Sequence, residues 1–164
     1  MTDPISFRPV EPGDLPRLHE IRTAAFEPVF RSFRQILGEP IAGTAITAAE
    51  REQAELLDHL CAADSPDEVF VVVQEGQLVA FCSLSLDRES GVGELGLNAV
   101  HPDHQGRGLG TAMYRHALAR LRAAGMRVAS VGTGGDPSHA PARRAYEKAG
   151  FGPAIPSLYY YRAL

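Results

Sequence analysis

A glycine-rich turn about two-thirds along the chain has the residues and spacing of an anion-binding site. Glycines alternate at Gly106, Gly108 and Gly110, between an apolar strand-like run (95–100) and an amphipathic helical run (109–122). The first turn of a helix has backbone N–H groups without acceptors, and the helix dipole favours an anion there. Glycine permits positive φ and close approach of a ligand to the backbone. The pattern therefore predicts a phosphate ligand at this turn.

Two common phosphate motifs do not fit. A nucleotide P-loop needs Lys followed by Ser or Thr after its glycines, and no Lys is present in this turn. The dinucleotide fingerprint needs a third Gly where Thr111 stands. It also follows the first strand of its repeat, whereas this turn lies two-thirds along the chain. The alternative to a phosphate site is an ordinary tight loop between a strand and a helix, without a ligand.

A more specific match is the run from Val100-His101-Pro102 to Gln105-x-x-Gly108-x-Gly110. It resembles the acyl-CoA signature of the GNAT N-acetyltransferase superfamily, with the usual Val-His-Pro lead-in. The segment from Tyr146-Glu147-Lys148 to Gly150-Phe151 resembles the end of the family's last helix. The resemblance covers about the whole chain and is weakest between residues 27 and 65.

The resemblance implies an N-acetyltransferase that moves an acetyl group from acetyl-CoA to a primary amine of a small molecule or protein. Direct transfer in a ternary complex is expected, because no Cys or Ser stands as a nucleophile in the motifs. The leading alternative is a non-catalytic acyl-CoA binding or sensing domain on the same fold. The acyl chain length and the acceptor stay open, although the acidic balance favours a cationic or neutral amine.

The resemblance also implies roles for individual residues. Tyr146 is the expected general acid, since a phenol with a pKa of about 10 is protonated at neutral pH. Glu94 is the expected base, acting through water, and Asn98, expected on the same face, would bind substrate or a relay water. The expected cofactor-binding residues are Ala99, Val100, Gln105, Gly106, Arg107, Gly108, Leu109, Gly110, Thr111, His139 and Tyr146.

His139 departs from the family pattern, which often has Asn seven residues before the Tyr. A histidine could donate the same hydrogen bond to the cofactor or could titrate near neutral pH and serve as the base. The alternative is a structural residue at the start of a helix. No metal is expected, because His101 and His104 are separated by Pro102 and no Cys or acidic cluster completes a ligand set.

Composition limits the class of protein. The 164 residues favour a single domain over 1–164, and the net charge of −4 argues against nucleic-acid binding. No apolar run is long enough for a membrane span, and residues 1–4 lack the pattern of a secretory signal, so a cytoplasmic protein is expected. Cys61 and Cys82 are interpreted as apolar packing residues rather than a disulfide. The sequence does not determine the oligomeric state, and a homodimer is one possibility.

The order of the elements predicts an α/β protein with a mixed sheet flanked by helices. The resemblance further implies that two central parallel strands splay apart around the pantetheine of the co-substrate. Strands are expected at 5–9, 69–74, 78–86, 93–100, 128–132 and 157–162, and helices at 11–26, 47–63, 109–122 and 141–149. Residues 27–46 are ambiguous, although Gly38-Glu39-Pro40 predicts a break in any helix there. Thr47-x-x-Glu50 indicates a capping box. The run Tyr159-Tyr160-Tyr161 could line the acceptor pocket or a subunit interface, with ordinary packing as the alternative.

Overall fold

The computed structural model describes residues 4–164. The prediction that residues 1–4 lack a secretory signal therefore falls mostly outside the described residues. Five strands form one sheet in the order β1-β2-β3-β4-β5, antiparallel except for the parallel pair of β4 and β5. The strands are β1 (Ile5–Pro9), β2 (Glu68–Gln74), β3 (Gln77–Asp87), β4 (Val92–Val100) and β5 (Val128–Val131). The helices are α1 (Leu15–Leu37), α2 (Ile41–Leu60), α3 (Leu109–Ala123) and α4 (Ala140–Lys148).

Helices cover both faces of the sheet, as predicted for this class. One face packs against α3 and α4 through a core that includes Cys82, Leu95 and Met113. The other face packs against α1 and α2 through a second core that includes Leu18, Leu57 and Phe81. No helix within residues 4–164 is both long and apolar enough to cross a membrane.

The first two helices differ from the prediction. The first continues through the ambiguous region to Leu37, even though Pro28 lies inside it. Proline removes one helical hydrogen bond, but Phe30 is buried against α2 and offsets that loss. The predicted capping box at Thr47 is wrong, because α2 begins earlier at Ile41, directly after the predicted break at 38–40. There the Glu39 carboxylate accepts a hydrogen bond from the Gly43 N–H at 3.1 Å.

The predicted final strand at 157–162 is also wrong. Residues 149–164 have no regular secondary structure, and large side chains in this stretch are exposed. A strand needs a partner for its backbone groups, and this segment has no backbone pairing with the sheet in the structure. The two cysteines are free thiols, one buried in β3 and one partly buried at the end of α2.

A β-bulge in β4 decides which way its side chains point. Cys82 of β3 pairs with Asn98 of β4, and Leu84 pairs with Leu95. The step is two residues along β3 but three along β4, so β4 contains one extra residue here. The extra residue reverses the alternation of faces on the two sides of the bulge. Consequently Leu95 and Asn98 share the face of α3 and α4, whereas Glu94 lies on the opposite face. The expectation that Glu94 and Asn98 share a face is therefore wrong.

Close contact between α3 and the sheet depends on a glycine in β4. A Cβ at Gly93 would lie 2.5 Å from Leu121 Cδ2 and 3.1 Å from its Cγ, and Leu121 is buried. Replacement by alanine must push α3 away from β4 or force Leu121 into another rotamer. Overpacking of this kind costs about 1–3 kcal/mol.

We therefore expect Gly93→Ala to lower the free energy of unfolding by about that amount in urea titration. The matched control is Gly13→Ala, where an added Cβ meets no atom within 4 Å. Equal unfolding midpoints for the two variants would contradict this account of the helix–sheet contact.

Candidate acetyl-CoA site

The site begins where β4 and β5 part. Parallel pairing runs from Val92 opposite Val128 to Leu95 opposite Val131, and it stops there. The remaining residues of β4 continue to Val100 without β5 beside them. Backbone groups on this side of β4 are therefore open to a ligand, as the predicted splay requires.

The register of β4 with β3 shows which backbone groups face the opening. The His101 N–H donates to the Val79 carbonyl at 2.9 Å, so these two residues form a hydrogen-bonded pair. Pairs alternate along an antiparallel ladder, and residues of the non-bonded pairs direct their N–H and C=O groups to the other edge. The backbone N–H and C=O groups of Val100 and Asn98 therefore face the opening, while those of Ala99 face β3. The register favours Asn98 over Ala99 as the second backbone contact.

The glycine-rich turn leads from this opening into α3. Gly106 and Gly108 have φ of 74° and 80°, values at which residues with a Cβ are strained. The Gln105 side chain donates from Nε2 to the Val100 carbonyl at 2.9 Å, which ties the turn to the end of β4. Gln105, expected among the cofactor-binding residues, therefore also orients the turn.

The N-terminus of α3 presents free donors. Its first backbone hydrogen bond runs from the Ala112 N–H to the Gly108 carbonyl at 3.0 Å. The N–H groups of Leu109, Gly110 and Thr111 therefore have no acceptor within the helix. A Cβ at Gly106 or Gly108 would meet no atom within 4 Å, so the space beside the turn is open. These features fit the pyrophosphate of an acyl-CoA.

A partly buried hydrogen-bond network joins β4, α3 and α4 beside the opening. Asn98 Nδ2 donates to the Gly96 carbonyl at 2.9 Å and to the Tyr146 hydroxyl at 3.2 Å. Its Oδ1 accepts from the Tyr114 hydroxyl at 2.9 Å. The Tyr146 oxygen therefore accepts from Asn98, and its own proton is left to be donated elsewhere. Burial raises the pKa of both phenols and keeps them protonated.

Sequence reasoning missed Tyr114. Its ring lies 4.5 Å from that of Tyr146 by centroid distance, and its side chain fixes the orientation of Asn98. The available signal was helical spacing, because Tyr114 follows Met113 on the inward face of α3 and lies four residues after Gly110. Asn98, predicted to bind substrate or a relay water, contacts Gly96, Tyr114 and Tyr146 within the protein.

A second cluster lies on the loop between β5 and α4. His139 Nδ1 lies 2.5 Å from the Asp136 carboxylate, and its ring stacks on Phe33 of α1. Asp136 also accepts hydrogen bonds from the hydroxyls of Ser32, at 2.9 Å, and Ser138. Burial acts to raise the pKa of Asp136, but the hydrogen bonds from Ser138, His139 and Ser32 outweigh it and lower that pKa to about 2.

The other predicted residues lie apart from these clusters. Glu94 is exposed on the face of α1 and α2, opposite Ser85 and Ser130 in neighbouring strands. Arg107 is exposed in the glycine-rich turn, and Leu109 is buried in the core beneath it. Among residues 4–164, no group of three or more His, Cys, Asp or Glu is placed to hold a metal ion.

A family model described as the acetyltransferase (GNAT) family matches residues 17–151 of this sequence. The chain belongs to this family. The match includes the glycine-rich turn, the parting strands and the helix that carries Tyr146, so the GNAT assignment and the geometry concern the same residues. No curated protein sequence matches the chain.

Solved structures of GNAT acetyltransferases share this fold. A GNAT family acetyltransferase from Brucella melitensis, in complex with acetyl-CoA, is 25% identical with a TM-score of 0.61; the match covers 98% of this chain and 97% of that one. The PaiA N-acetyltransferase from Thermoplasma acidophilum, in complex with coenzyme A, is 18% identical with a TM-score of 0.70, covering 91% and 90%. The ribosomal-protein-S18-alanine N-acetyltransferase from Escherichia coli is 22% identical with a TM-score of 0.62, covering 93% and 80%.

The Asp136 cluster generates a prediction about stability. A carboxyl whose pKa falls on folding stabilises the folded state above its unfolded pKa, and this contribution disappears as pH falls through the folded pKa. For a pKa lowered from 3.8 to about 2, the contribution is about 2 kcal/mol. We expect Asp136→Asn to lose about this much at pH 7, measured by urea unfolding.

The difference between wild type and Asp136→Asn should shrink as pH falls below about 4 toward the folded pKa of about 2. Asp64→Asn, an exposed position, serves as the control and should have little effect. A difference for Asp136→Asn that persists unchanged at pH 3 would show that its carboxylate charge is not the stabilising feature.

Proposed function

We propose that this GNAT protein transfers an acetyl group from acetyl-CoA to a primary amine by direct attack in a ternary complex. The observation that carries the proposal is the convergence of three features at one opening of the sheet. The free amides of α3, the open edge of β4 and a buried, protonated phenol all border it. Each matches one requirement of acetyl transfer: binding of the co-substrate, orientation of its arm and a proton for the leaving group.

The residues of the turn and of β4 would hold the co-substrate. The N–H groups of residues 106–111 would bind the pyrophosphate, where the dipole of α3 adds to their attraction for an anion. Arg107, exposed beside them, would add a charged contact to phosphate. The amides of Val100 and Asn98 would pair with the pantetheine arm, much as an added strand pairs with a sheet edge. The Val100 N–H is also the candidate donor to the developing oxyanion.

Direct transfer is supported by the state of the two thiols. Acetyl-CoA supplies an activated thioester, so the amine can attack its carbonyl carbon without an enzyme-bound intermediate. A thiolate nucleophile would need a lowered pKa. Burial instead raises the pKa of Cys82, which is fully buried in β3 opposite Asn98, and of Cys61. The acceptor amine is therefore the nucleophile.

Tyr146 would act as the general acid. Its oxygen accepts from Asn98, which leaves the phenolic proton available to the sulfur of the departing thiolate. The raised pKa of Tyr146 keeps that proton in place until the C–S bond breaks. The side chains of Asn98 and Tyr114 are positioning groups in this scheme, since they act on the acid rather than on the substrate.

The base is assigned to His139 in preference to Glu94. Asp136 engages Nδ1 of His139, which leaves Nε2 as the proton acceptor, the arrangement that orients a basic imidazole in other enzymes. Glu94 is exposed on the face of α1 and α2 and could act only through water. The other role expected for His139, a hydrogen bond to the co-substrate, makes a different kinetic prediction.

We expect His139→Asn to lower kcat by a factor of about 100 or more and to leave the KM for acetyl-CoA nearly unchanged. Glu94→Gln should leave both nearly unchanged. If His139 only holds the co-substrate, the Asn variant will instead raise the KM for acetyl-CoA and keep kcat near the wild-type value. That outcome would return the base role to Glu94 or to water.

Binding at the turn is tested by calorimetry with acetyl-CoA on wild type and Gly108→Glu, where a charged side chain would intrude on the pyrophosphate. The variant should lose binding while its circular dichroism stays native. Gly125→Glu is the matched control, because Gly125 lies at the other end of α3 with a similar φ of 83° and open space. Equal binding by both variants would remove the turn from the site.

Turnover separates an enzyme from a sensor. An amine panel that includes polyamines, amino sugars and peptides, with detection of free CoA thiol, should release thiol with at least one acceptor. Tight acetyl-CoA binding without thiol release from any amine would support the non-catalytic alternative. Turnover with anionic acceptors alone would contradict the expectation of a cationic or neutral amine.

A further inference from the structure

A groove with a volume of about 420 Å³ runs between α1 and α2. Cavities of roughly 300–1,000 Å³ accommodate small organic ligands. Two aromatic rings and several charged side chains form its walls. They include Arg22, Phe26, Glu27 and Phe30 of α1 and Glu50 and Arg51 of α2. We call this surface the outer groove.

The outer groove opens on the side of the two helices that is turned away from the sheet. Ala25 packs into the core between α1 and the sheet. Thr23 and Glu27, which line the groove, are each two residues from Ala25. A helix turns about 100° per residue, so these two side chains lie nearly opposite Ala25 around α1. The helices therefore separate the outer groove from the sheet opening assigned to acetyl-CoA.

Both carboxylates of the outer groove already have an arginine partner within the protein. Arg31 donates from Nε to Glu27 Oε1 at 3.0 Å. Arg34 donates from Nη2 to Glu50 Oε2 at 2.9 Å. The negative charges in the groove are therefore neutralised before any ligand binds.

Arg22, by contrast, forms no salt bridge with any residue in the range 4–164. Its hydrogen bonds are long and run to groups without negative charge: 3.4 Å to His19 Nδ1 and to Gln53 Oε1, and 3.3 Å to Thr23 Oγ1. Burial lowers the pKa of Arg22 in spite of more distant carboxylates, so the guanidinium is short of solvation. A carboxylate, which accepts two parallel hydrogen bonds from a guanidinium, would supply what is missing.

The rest of the outer groove limits the shape of such a ligand. Arg51 adds a second positive charge, since it comes only to 3.7 Å from Glu55 and its side chain is 67% exposed. Phe26 and Phe30, with ring centroids 6.3 Å apart, form an apolar wall beside the two arginines. Two cations next to aromatic rings fit an anion with an apolar body better than an inorganic ion.

We propose that the outer groove binds a small carboxylate that carries an aromatic or similarly apolar body. The carboxylate would pair with Arg22 and Arg51, and the body would cover Phe26 and Phe30. The inference rests on charge complementarity and on the aromatic wall, and it does not depend on the catalytic proposal.

Phenylacetate tests both parts of this recognition. Phenylacetamide has the same ring without the charge, and acetate has the charge without the ring. Phenylacetate should bind at least about tenfold more tightly than either, because a charge-assisted hydrogen bond is stronger than a neutral one and the ring buries apolar area. In an NMR titration of the wild-type chain, the amide resonances of residues 22–30 and 47–51 should shift, and those of residues 98–111 should not.

Three results of these titrations would overturn the proposal. The first is equal affinity for phenylacetate and phenylacetamide. The second is a set of shifts centred on residues 98–111, which would place the probe in the co-substrate site. The third is no binding of phenylacetate up to about 10 mM, which would leave the groove to a protein partner or to no ligand.

Arg22→Gln removes the guanidinium and should weaken phenylacetate binding about tenfold or more. Arg115→Gln is the matched control, because Arg115 is exposed on α3, on the other face of the sheet, and this variant should bind as the wild type does. If Arg22→Gln does not fold, Arg51→Gln at an exposed position provides the same test, with a loss of about threefold or more expected. Wild-type affinity in a folded Arg22→Gln, or in Arg51→Gln where it takes its place, would overturn the proposal.

Discussion

The site depends on the separation of β4 from β5 after four paired residues. Up to Leu95 and Val131 the two strands satisfy each other's backbone groups, and beyond that point β4 continues alone. An open strand edge inside a fold is unfavourable unless another donor or acceptor reaches it. Gln105 satisfies the Val100 carbonyl, whereas the register leaves the Val100 amide for a ligand. The fold thus leaves polar groups unpaired where a co-substrate with amides of its own would pair with them.

Two features turn this opening into a site with chemistry. The bulge in β4 brings Asn98 onto the face of α3 and α4, where its amide joins Tyr146 and Tyr114. Without the extra residue, Asn98 would point to α1 and α2 and Tyr146 would lose the hydrogen bond from Asn98. On the other side, Asp136 connects the β5–α4 loop to Ser32 of α1. This contact holds His139 against Phe33 and ties one border of the opening to the first helix.

The sequence predicted the parts of this arrangement that local patterns determine. Alternating glycines before a helical run predicted the turn, and Gly106 and Gly108 have the positive φ that this requires. The bulge could not be predicted, because a single extra residue leaves the apolar pattern of a strand almost unchanged and still reverses its faces. The capping-box motif at Thr47 misled because α2 could start at once after the break at 38–40. Residues 157–162 have a strand-like composition, but a strand exists only with a partner, which their sequence does not identify.

The most direct test of this account is amide hydrogen exchange at adjacent residues of β4. Without ligand, the Val100 N–H should exchange much faster than the Ala99 N–H, because the register directs Val100 into the opening and Ala99 to β3. Saturating acetyl-CoA should slow exchange at Val100 and at residues 109–111, and leave Ala99 nearly unchanged. Equal protection of Val100 and Ala99 without ligand, or no change at Val100 when acetyl-CoA binds, would contradict the claim that the parted strands form the binding site.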